Sequence, residues 1–196
     1  MTLTLTKGAN LSHSKSSPGL TNLLIGLGWD ARSTDGQPFD LDASALLVGA
    51  DGKVRSDADF IFYNQPASSD GSVVYNGDNR TGDGDGDDET ISIDLSAVPA
   101  DVDKIVVTVS IDQFTERGQS FGQVRNAFVR GINAADDTEI VRYDLAEDYS
   151  TEGALVFAEV YRDKSASGEW KFRAVGQGYA AGLRGIALDF GVKGLQ

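Results

Sequence analysis

Short segments in which apolar and polar residues alternate recur along almost the whole chain, and this pattern most limits what the chain can fold into. Alternation with a period of two is typical of strands that bury one face. The sequence predicts about eleven such strands, at 2–6, 20–29, 43–48, 59–63, 72–75, 90–95, 104–111, 126–132, 139–144, 155–162 and 169–175. Asp-Gly pairs at 35–36, 51–52 and 70–71 suit hairpin turns, because both residue types tolerate positive φ. We therefore expect an all-β protein, a β-sandwich of two mostly antiparallel sheets.

Only a few short helices are expected beside the strands. Between Tyr179 and Phe190 the period of two gives way to Ala, Leu and Ile at helical spacing, which predicts one helix despite the glycines there. Short helical turns are predicted at 96–98 and 120–124. The chain of 196 residues contains no segment with the composition of a linker, so we expect a single domain spanning 1–196.

The charge balance is strongly acidic: 30 Asp and Glu against 17 Lys and Arg give a formal net charge of −13. Nucleic acids and anionic membranes attract clusters of Lys and Arg, so neither is an expected partner. The absence of cysteine excludes disulfides, zinc–thiolate sites and thiol catalysis. No stretch reaches the length of a membrane span, and the first residues alternate Thr with Leu, unlike the apolar run of a secretion signal. These features predict a cytoplasmic protein.

One segment departs from the alternating pattern. Between Asp78 and Glu89 the chain reads DNRTGDGDGDDE, with six carboxylates, one Arg and three glycines but no apolar side chain. The carboxylates repel one another in a compact loop, and a bound cation would relieve that repulsion. Oxygen-rich ligand sets select hard cations, among which Ca²⁺ accepts the more variable geometry, and glycines let backbone carbonyls turn toward an ion. The segment predicts a calcium site, with a solvated acidic connection between two strands as the alternative.

Known contiguous calcium loops fit this segment poorly. An EF-hand loop counted from Asp78 places Arg80 and Gly82 at ligand positions. Asp83 then stands where glycine is required, and counting from Asp83 puts Asp88 at the glycine position instead. The Gly-Asp alternation of calcium-binding β-rolls works only as a stacked array, whereas this chain has one copy. We therefore expect the loop to form half of a site that other acids complete.

Acids at predicted strand ends are candidates for that second half. Asp30 ends the second predicted strand. Asp40 and Asp42 share one face if their segment is extended, which turns Leu41 toward the core. Asp112 follows a long apolar strand, and strand ends cluster at one pole of a sandwich. Spacing alone favours metal ligation and simple turn capping about equally. Seven acids in turn-like contexts are predicted to be surface residues: Asp51, Asp57, Asp59, Asp101, Asp103, Asp136 and Asp137.

Several motifs, taken in order, resemble one family. They are GWDARSTDG at 28–36, FDLDASA at 39–45, DADFIFYN at 57–64, the acidic loop at 78–89, SFGQV at 120–124 and GEWKFRAVGQGY at 168–179. Together they resemble the TerD family of tellurium-resistance and stress proteins over nearly the whole chain. The resemblance implies a two-sheet β-sandwich that binds two Ca²⁺ ions near one end. It also implies a role in resistance to tellurite and other stresses, and no established enzyme activity.

The resemblance further implies which residues bind the metal. In the loop these are Asp78, Asn79, Asp85, Asp87, Asp88 and Glu89. Asp30, Asp40 and Asp42 lie in the other family motif, which adds them to the predicted metal ligands. The expected partners are other tellurium-resistance and stress proteins, with the inner face of the membrane as one place of assembly.

The sequence gives little support to an enzyme. His13 is the only histidine and stands in a polar stretch without a nearby acid, so a serine triad is not predicted. The glycines at 176, 178 and 182 do not fit a dinucleotide loop, because the third comes one residue late. Pairs of carboxylates are common by chance in so acidic a chain and do not by themselves indicate glycoside hydrolysis.

Two functions of different classes follow. The first is a non-catalytic calcium-binding protein in which Ca²⁺ orders the acidic loop and thereby forms a docking surface for other stress-response proteins. The second is a metal-dependent enzyme or a binder of a small anionic ligand, such as phosphate, a nucleotide or a tellurium oxyanion held by the cation. A site closed by protein oxygens favours the first function, and free coordination positions facing a pocket favour the second.

Overall fold

The computed structural model describes residues 2–12, 19–31, 35–77, 79–83, 86–145, 149–165 and 169–194. Within these ranges the chain forms two six-stranded sheets. The strands are β1 (Leu3–Thr4), β2 (Asn10–Ser12), β3 (Asn22–Gly28), β4 (Leu41–Val48), β5 (Phe60–Ile61), β6 (Val73–Tyr75), β7 (Glu89–Asp94), β8 (Lys104–Ile111), β9 (Phe128–Asn133), β10 (Thr138–Asp144), β11 (Ala154–Asp163) and β12 (Glu169–Tyr179). Two short helices, α1 (Phe114–Arg117) and α2 (Gly182–Asp189), and 3₁₀ turns at Asp57–Asp59 and Phe121–Gln123 accompany them.

The first sheet has the strand order β1-β10-β9-β3-β7-β6, and the second has the order β2-β12-β11-β8-β4-β5. β1 pairs with β10 in parallel, and the other pairings among the described strands are antiparallel. The predicted β-sandwich of two mostly antiparallel sheets is therefore confirmed. Consecutive strands such as β3 and β4, or β7 and β8, lie in different sheets. Ends of strands from both sheets are therefore found at each end of the sandwich.

Each predicted strand has a counterpart in the structure, and Lys104–Ile111 has the predicted bounds. The helix predicted between Tyr179 and Phe190 is α2, which starts late because β12 continues to Tyr179. The segment 96–98 forms a short turn, as predicted, in which the amides of Ala97 and Val98 both donate to the Asp94 carbonyl. β2 and α1, of three and four residues, were too short to give a periodic signal. Within the described ranges, no helix is long and apolar enough to cross a bilayer.

The second sheet is buried on its inner face and on part of its outer face. Its inner face meets the first sheet in the main core, where Leu41 is fully buried, as predicted. On the outer face α2 covers β4 and β8, because Leu46 and Val106 pack with Ile186 and Ala187 in a second apolar cluster. This double burial explains why β4 and β8 read as nearly continuous apolar runs.

One predicted surface residue is in fact buried. Asp59 is 2% exposed, so its assignment to the surface was wrong. The guanidinium of Arg55 donates to the Asp59 carboxylate at 2.8 Å from Nε and 2.7 Å from Nη2, and the Arg55 amide donates to it at 3.0 Å. Hydrogen bonding to Asp59 is the largest cause of the raised Arg55 pKa. A buried carboxylate needs such a partner. Arg55 lies four residues before Asp59 in a segment without strand periodicity, so the sequence pattern did not indicate that the two side chains pair.

Candidate functional site

The acidic loop joins β6 to β7 at one end of the sandwich, and its described part is organised by Asn79. The Asn79 Oδ1 accepts hydrogen bonds from the amides of Thr81 (3.1 Å) and Gly82 (3.2 Å), while its Nδ2 donates to Asp88 Oδ1 (2.8 Å). Gly82 has φ +69° and lies against the indole of Trp29, where a Cβ would come within 2.4 Å of Nε1. Glycine is therefore required at this position both by backbone conformation and by space.

Asp88 is the acid through which the loop is joined to the first sheet. Its amide donates to the Leu27 carbonyl at 2.8 Å, and its Oδ2 accepts from the Trp29 amide at 3.0 Å. Burial raises the pKa of the Asp88 carboxyl, the hydrogen bond from Trp29 opposes that rise, and the carboxylates of Asp87, Asp83 and Asp30 add to it. Asp88 thus lies where the negative charges of the loop and of the β3 end converge.

Asp30 is positioned at this point by β3 and by the segment that precedes β9. Its amide donates to the Arg125 carbonyl at 3.0 Å, and its Oδ2 accepts from Asn126 Nδ2 at 2.7 Å. Asn126 adopts φ 53°, a conformation that Asn tolerates better than most residues. Asp30 lies beside the loop in the structure, because the amide of Trp29, the preceding residue, donates to Asp88 Oδ2 at 3.0 Å.

Asp87 lies on the outer face of the first sheet and is held by an arginine. Arg130 donates to both Asp87 oxygens, at 2.7 Å from Nε and 3.1 Å from Nη2, and also to Glu139 Oε2 at 2.9 Å. The Asp87 carboxylate lies directly over Gly26, where a Cβ would come within 2.2 Å of its Cγ. Arg130 was not among the site residues predicted from the sequence. Its position opposite Gly26 in the β3–β9 register could be found only once the pairing was known.

Glu89 points into the core, because β7 alternates buried and half-buried residues starting from this position. It is 2% exposed. Its Oε2 accepts from the Ala43 amide at 2.5 Å, and its Oε1 accepts from the Tyr75 hydroxyl at 2.9 Å. Since Glu89 is in the first sheet and Ala43 in the second, this side chain connects the two sheets across the core.

Asp40 and Asp42 line a separate pocket of about 210 Å³ with Asp112, Tyr63, Gln113, Arg80 and Arg117. Arg117 lies 2.9 Å from Asp112 Oδ2 and 3.6 Å from Asp40 Oδ2. The Asp112 amide donates to the Asp40 carbonyl at 2.9 Å, which joins the end of β8 to the segment before β4. Arg80 comes from the acidic loop, so the loop reaches across to the second sheet. Arg117 in α1 was also missed, because α1 was not predicted.

The structure thus distributes the predicted ligands over several environments at one end of the molecule, which we call the acidic pole: Asp30, Asp40, Asp42, Asn79, Asp87, Asp88 and Glu89. Asp30, Asn79 and Asp88 come together with Asp83; Asp40 and Asp42 lie beside Asp112; Asp87 and Glu89 have protein partners of their own. Asp78 and Asp85 lie outside the described residues. Among the residues that the structure describes, no three acidic or histidine side chains are grouped closely enough to hold a metal ion.

The fold and this site define a two-sheet β-sandwich in which oxygen-bearing side chains gather at one end. A family model described as "TerD domain" matches residues 1–190. The chain belongs to the TerD family, and the resemblance seen in its motifs is confirmed.

Individual relatives agree with this assignment. The chain is 59% identical to the tellurium resistance protein TerD of Serratia marcescens over 98% of both chains. It is 50% identical to general stress protein 16U of Bacillus subtilis over 98% of this chain and 99% of that protein. Among solved structures, it resembles that of a homologue of telluride resistance protein (TerD) from Streptomyces coelicolor A3(2). That match has a TM-score of 0.70 and 26% identity, and covers 86% of this chain and 96% of the other.

Proposed function

We propose that this chain is a cytoplasmic, non-catalytic calcium-binding protein of tellurite resistance and the stress response. In this proposal Ca²⁺ orders the acidic loop and thereby forms a docking surface for other tellurium-resistance or stress proteins. The names of the relatives support the resistance and stress parts of the proposal. The calcium part is supported by the chemistry of the acidic pole.

The observation that carries the calcium proposal is the environment of Asp88. Its carboxyl is half-buried, and three further carboxylates, those of Asp87, Asp83 and Asp30, raise its pKa along with burial. Charges that destabilise one another in this way are stabilised by an added cation, most of all where solvent screening is weak. The concentration of carboxylates at Asp88 therefore fits a site that takes up positive charge.

The donor atoms of the acidic pole fit Ca²⁺ better than a softer metal, because they are carboxylate and amide oxygens. Asp30 and Asp88 are the described residues best placed to hold a first ion. The Asn79 oxygen already accepts two backbone amides, so in this arrangement Asn79 shapes the loop. Asp40 and Asp42 are the candidates for the second ion, although Arg117 and Arg80 already supply positive charge in their pocket.

The docking part of the proposal is supported by the surface beside Asp40 and Asp42. Tyr63 lines that pocket and is 48% exposed, one of three large hydrophobic side chains among the described residues with such exposure. Arg80 brings the acidic loop to the same place. An ion that fixes the loop would therefore also fix the charge and shape around an exposed aromatic residue, which suits recognition of a protein partner.

The test is a calorimetric titration of metal-stripped protein with Ca²⁺, and then with Mg²⁺ as competitor. We expect two Ca²⁺ per chain and weaker binding of Mg²⁺. Asp30→Asn is the sharpest variant, because an amide oxygen at residue 30 still accepts from Asn126 while the charge is lost. Asp51→Asn at the other end of β4 removes the same charge and keeps the acceptor for the Lys53 amide, so it is the matched control. Equal affinity of Asp30→Asn and wild type would contradict a site at Asp88.

The alternative function, a metal-dependent enzyme or anion binder, is favoured by the same pocket in one respect. Arg80 and Arg117 line the same pocket of about 210 Å³ as Asp40 and Asp42, so an anion on a cation bound there would lie beside two arginines. Titration of phosphate into calcium-loaded protein tests it. Phosphate binding that requires Ca²⁺ and is lost in Arg117→Gln would favour this alternative over a purely structural ion.

A further inference from the structure

A second charged cleft lies on the outer face of the second sheet, at the end opposite the acidic pole. Lys104 begins β8 and Val48 ends β4, whereas Asp42 and Asp112 mark the other ends of these strands. Seven steps of ~3.3 Å separate the two ends, or about 23 Å. The cleft has a volume of about 260 Å³, and the charged residues that line it include Lys104, Glu159, Lys164 and Arg173.

The cleft is cationic in a strongly acidic protein. Four Lys and Arg side chains and two acids line it, which leaves a local charge of +2 in a chain whose formal net charge is −13. One unit of this excess arises because Lys104 and Arg173 share the single carboxylate of Glu159, and the other comes from Arg162. Its guanidinium donates to the carbonyls of Val102 and Val98 and lies 4.3 Å from the Trp170 ring, and no carboxylate pairs with it among the described residues.

Glu159 organises the floor of the cleft. It is 5% exposed and accepts from Lys104 Nζ at 2.6 Å and from Arg173 Nη2. The ring of Tyr161 lies 5.5 Å from the Arg173 guanidinium and further restricts it. Each cation uses one N–H on Glu159, while an ammonium group has three N–H donors and a guanidinium five. The buried carboxylate of Glu159 thus holds Lys104 and Arg173 in place, while other N–H groups of both side chains stay available to bind an anion.

The mouth of the cleft is open to a ligand. The side chain of Arg173 is 46% exposed, and that of Lys164 on the rim is 70% exposed and pairs with Asp103 at 2.6 Å. Exposed ion pairs of this kind contribute little to stability, so a more highly charged anion can replace the Asp103 carboxylate at small cost. On the opposite wall Gly49, Ala50 and Gly52 carry no large side chain that would fill the space.

We propose that this cleft binds a small ligand through a dianionic oxyanion group, such as a phosphoryl group, held by Lys104, Lys164 and Arg173. Charge-assisted hydrogen bonds from several fixed cations are the usual means of binding such a group. The volume of the cleft exceeds that of one oxyanion and is near the lower end of small-ligand pockets, which begin at about 300 Å³. Free inorganic phosphate and a small phosphorylated metabolite share this chemistry. The site does not depend on calcium, so its failure and the failure of the calcium proposal are separable.

The test follows backbone amide resonances of metal-stripped protein, with chelator present, during titrations with inorganic phosphate, ribose 5-phosphate and AMP. We expect saturable shifts at Gly49, Ala50 and Gly52 and a Kd on the order of 1 mM or below. Tighter binding of ribose 5-phosphate or AMP would identify a phosphorylated metabolite, and equal binding of all three would identify the oxyanion alone. The absence of saturable shifts with every probe would overturn the proposal.

Variants separate a built site from general charge attraction. Lys164 is highly exposed, so Lys164→Gln should fold normally. Arg173→Gln removes a cation that Glu159 holds on the floor of the cleft. We expect each substitution to weaken phosphate binding about tenfold. Lys171→Gln is the matched control, since Lys171 is on the same strand, pairs with Asp163 and does not line the cleft. An equal loss in Lys171→Gln, or no loss in Lys164→Gln and Arg173→Gln, would also overturn the proposal.

Discussion

The pKa of a carboxyl group shifts in opposite directions at the two ends of the sandwich. In the cationic cleft, burial by itself raises the Glu159 pKa, but hydrogen bonds and charges from Lys104 and Arg173 outweigh it, and the net shift is downward. At the acidic pole, burial and three neighbouring carboxylates leave the Asp88 pKa raised. The protein supplies its own countercharge at one end and accumulates negative charge at the other. Electrostatic attraction should therefore be strongest at Asp88 for an added cation and at the cleft for an added anion.

The largest effect is expected at Glu89, which lies at the acidic pole but connects the two sheets. Glu89→Ala leaves the Ala43 amide and Tyr75 hydroxyl without these acceptors and opens a cavity, so we expect the free energy of unfolding to fall by about 3 kcal/mol. Glu89→Gln keeps the volume and should cost about 1 kcal/mol. Denaturant unfolding measures both, with Glu169→Ala on β12 as the control. A calcium affinity of Glu89→Gln as low as that of Asp88→Asn would make Glu89 a ligand, as the sequence resemblance implies.

The next largest effect on stability is expected from Ca²⁺ binding, which should depend on residues of the acidic pole alone. At a Ca²⁺ concentration of 100 times Kd, one site stabilises the folded protein by about 2.7 kcal/mol. We expect the midpoint of thermal unfolding to rise on adding Ca²⁺ and to return on adding chelator. Asp30→Asn should reduce this rise, whereas Asp51→Asn at the opposite end should keep it. An unchanged midpoint in wild type at millimolar Ca²⁺ would count against calcium binding and leave the negative charge at Asp88 unexplained.

Removing the buried acid of the cleft tests the other half of the comparison. Glu159→Gln leaves Lys104 and Arg173 without their shared carboxylate, and we expect a loss of about 1–2 kcal/mol near neutral pH. The folded Glu159 pKa is lowered, so the stability it contributes is present above the unfolded pKa of ~4.3 and is lost as pH falls through the folded value. The difference between wild type and variant should therefore shrink below about pH 4. A difference independent of pH would show that packing, and not charge, stabilises this end.

The sequence predicted the strands well and the site only in part, for a physical reason. Period-two alternation is local, so each predicted strand has a counterpart in the structure, and Lys104–Ile111 has the predicted bounds. Which carboxylate meets which partner depends on sheet register and on loop paths. The sequence placed Asp87 and Asp88 side by side in one loop, but the fold turns Asp87 to Arg130 across the first sheet and Asp88 to Trp29. The cationic cleft gave no sequence signal, because its members come from β8, β11, β12 and the loops around them.

The smallest predicted effect distinguishes these two neighbouring aspartates. Arg130 is 26% exposed on its side chain, so replacing it by Lys, which cannot hold both Asp87 oxygens in the same way, should cost within about 1 kcal/mol of stability. Because Asp87 is held by Arg130 on the outer face of the first sheet, we expect Asp87→Asn to weaken calcium binding less than Asp88→Asn does. Calorimetric titration of the two variants, with Arg130→Lys alongside, measures the difference. Equal losses in the two Asp→Asn variants would mean that the loop rearranges on binding Ca²⁺ and releases Asp87 from Arg130, and in that case Arg130→Lys should bind Ca²⁺ more tightly than wild type.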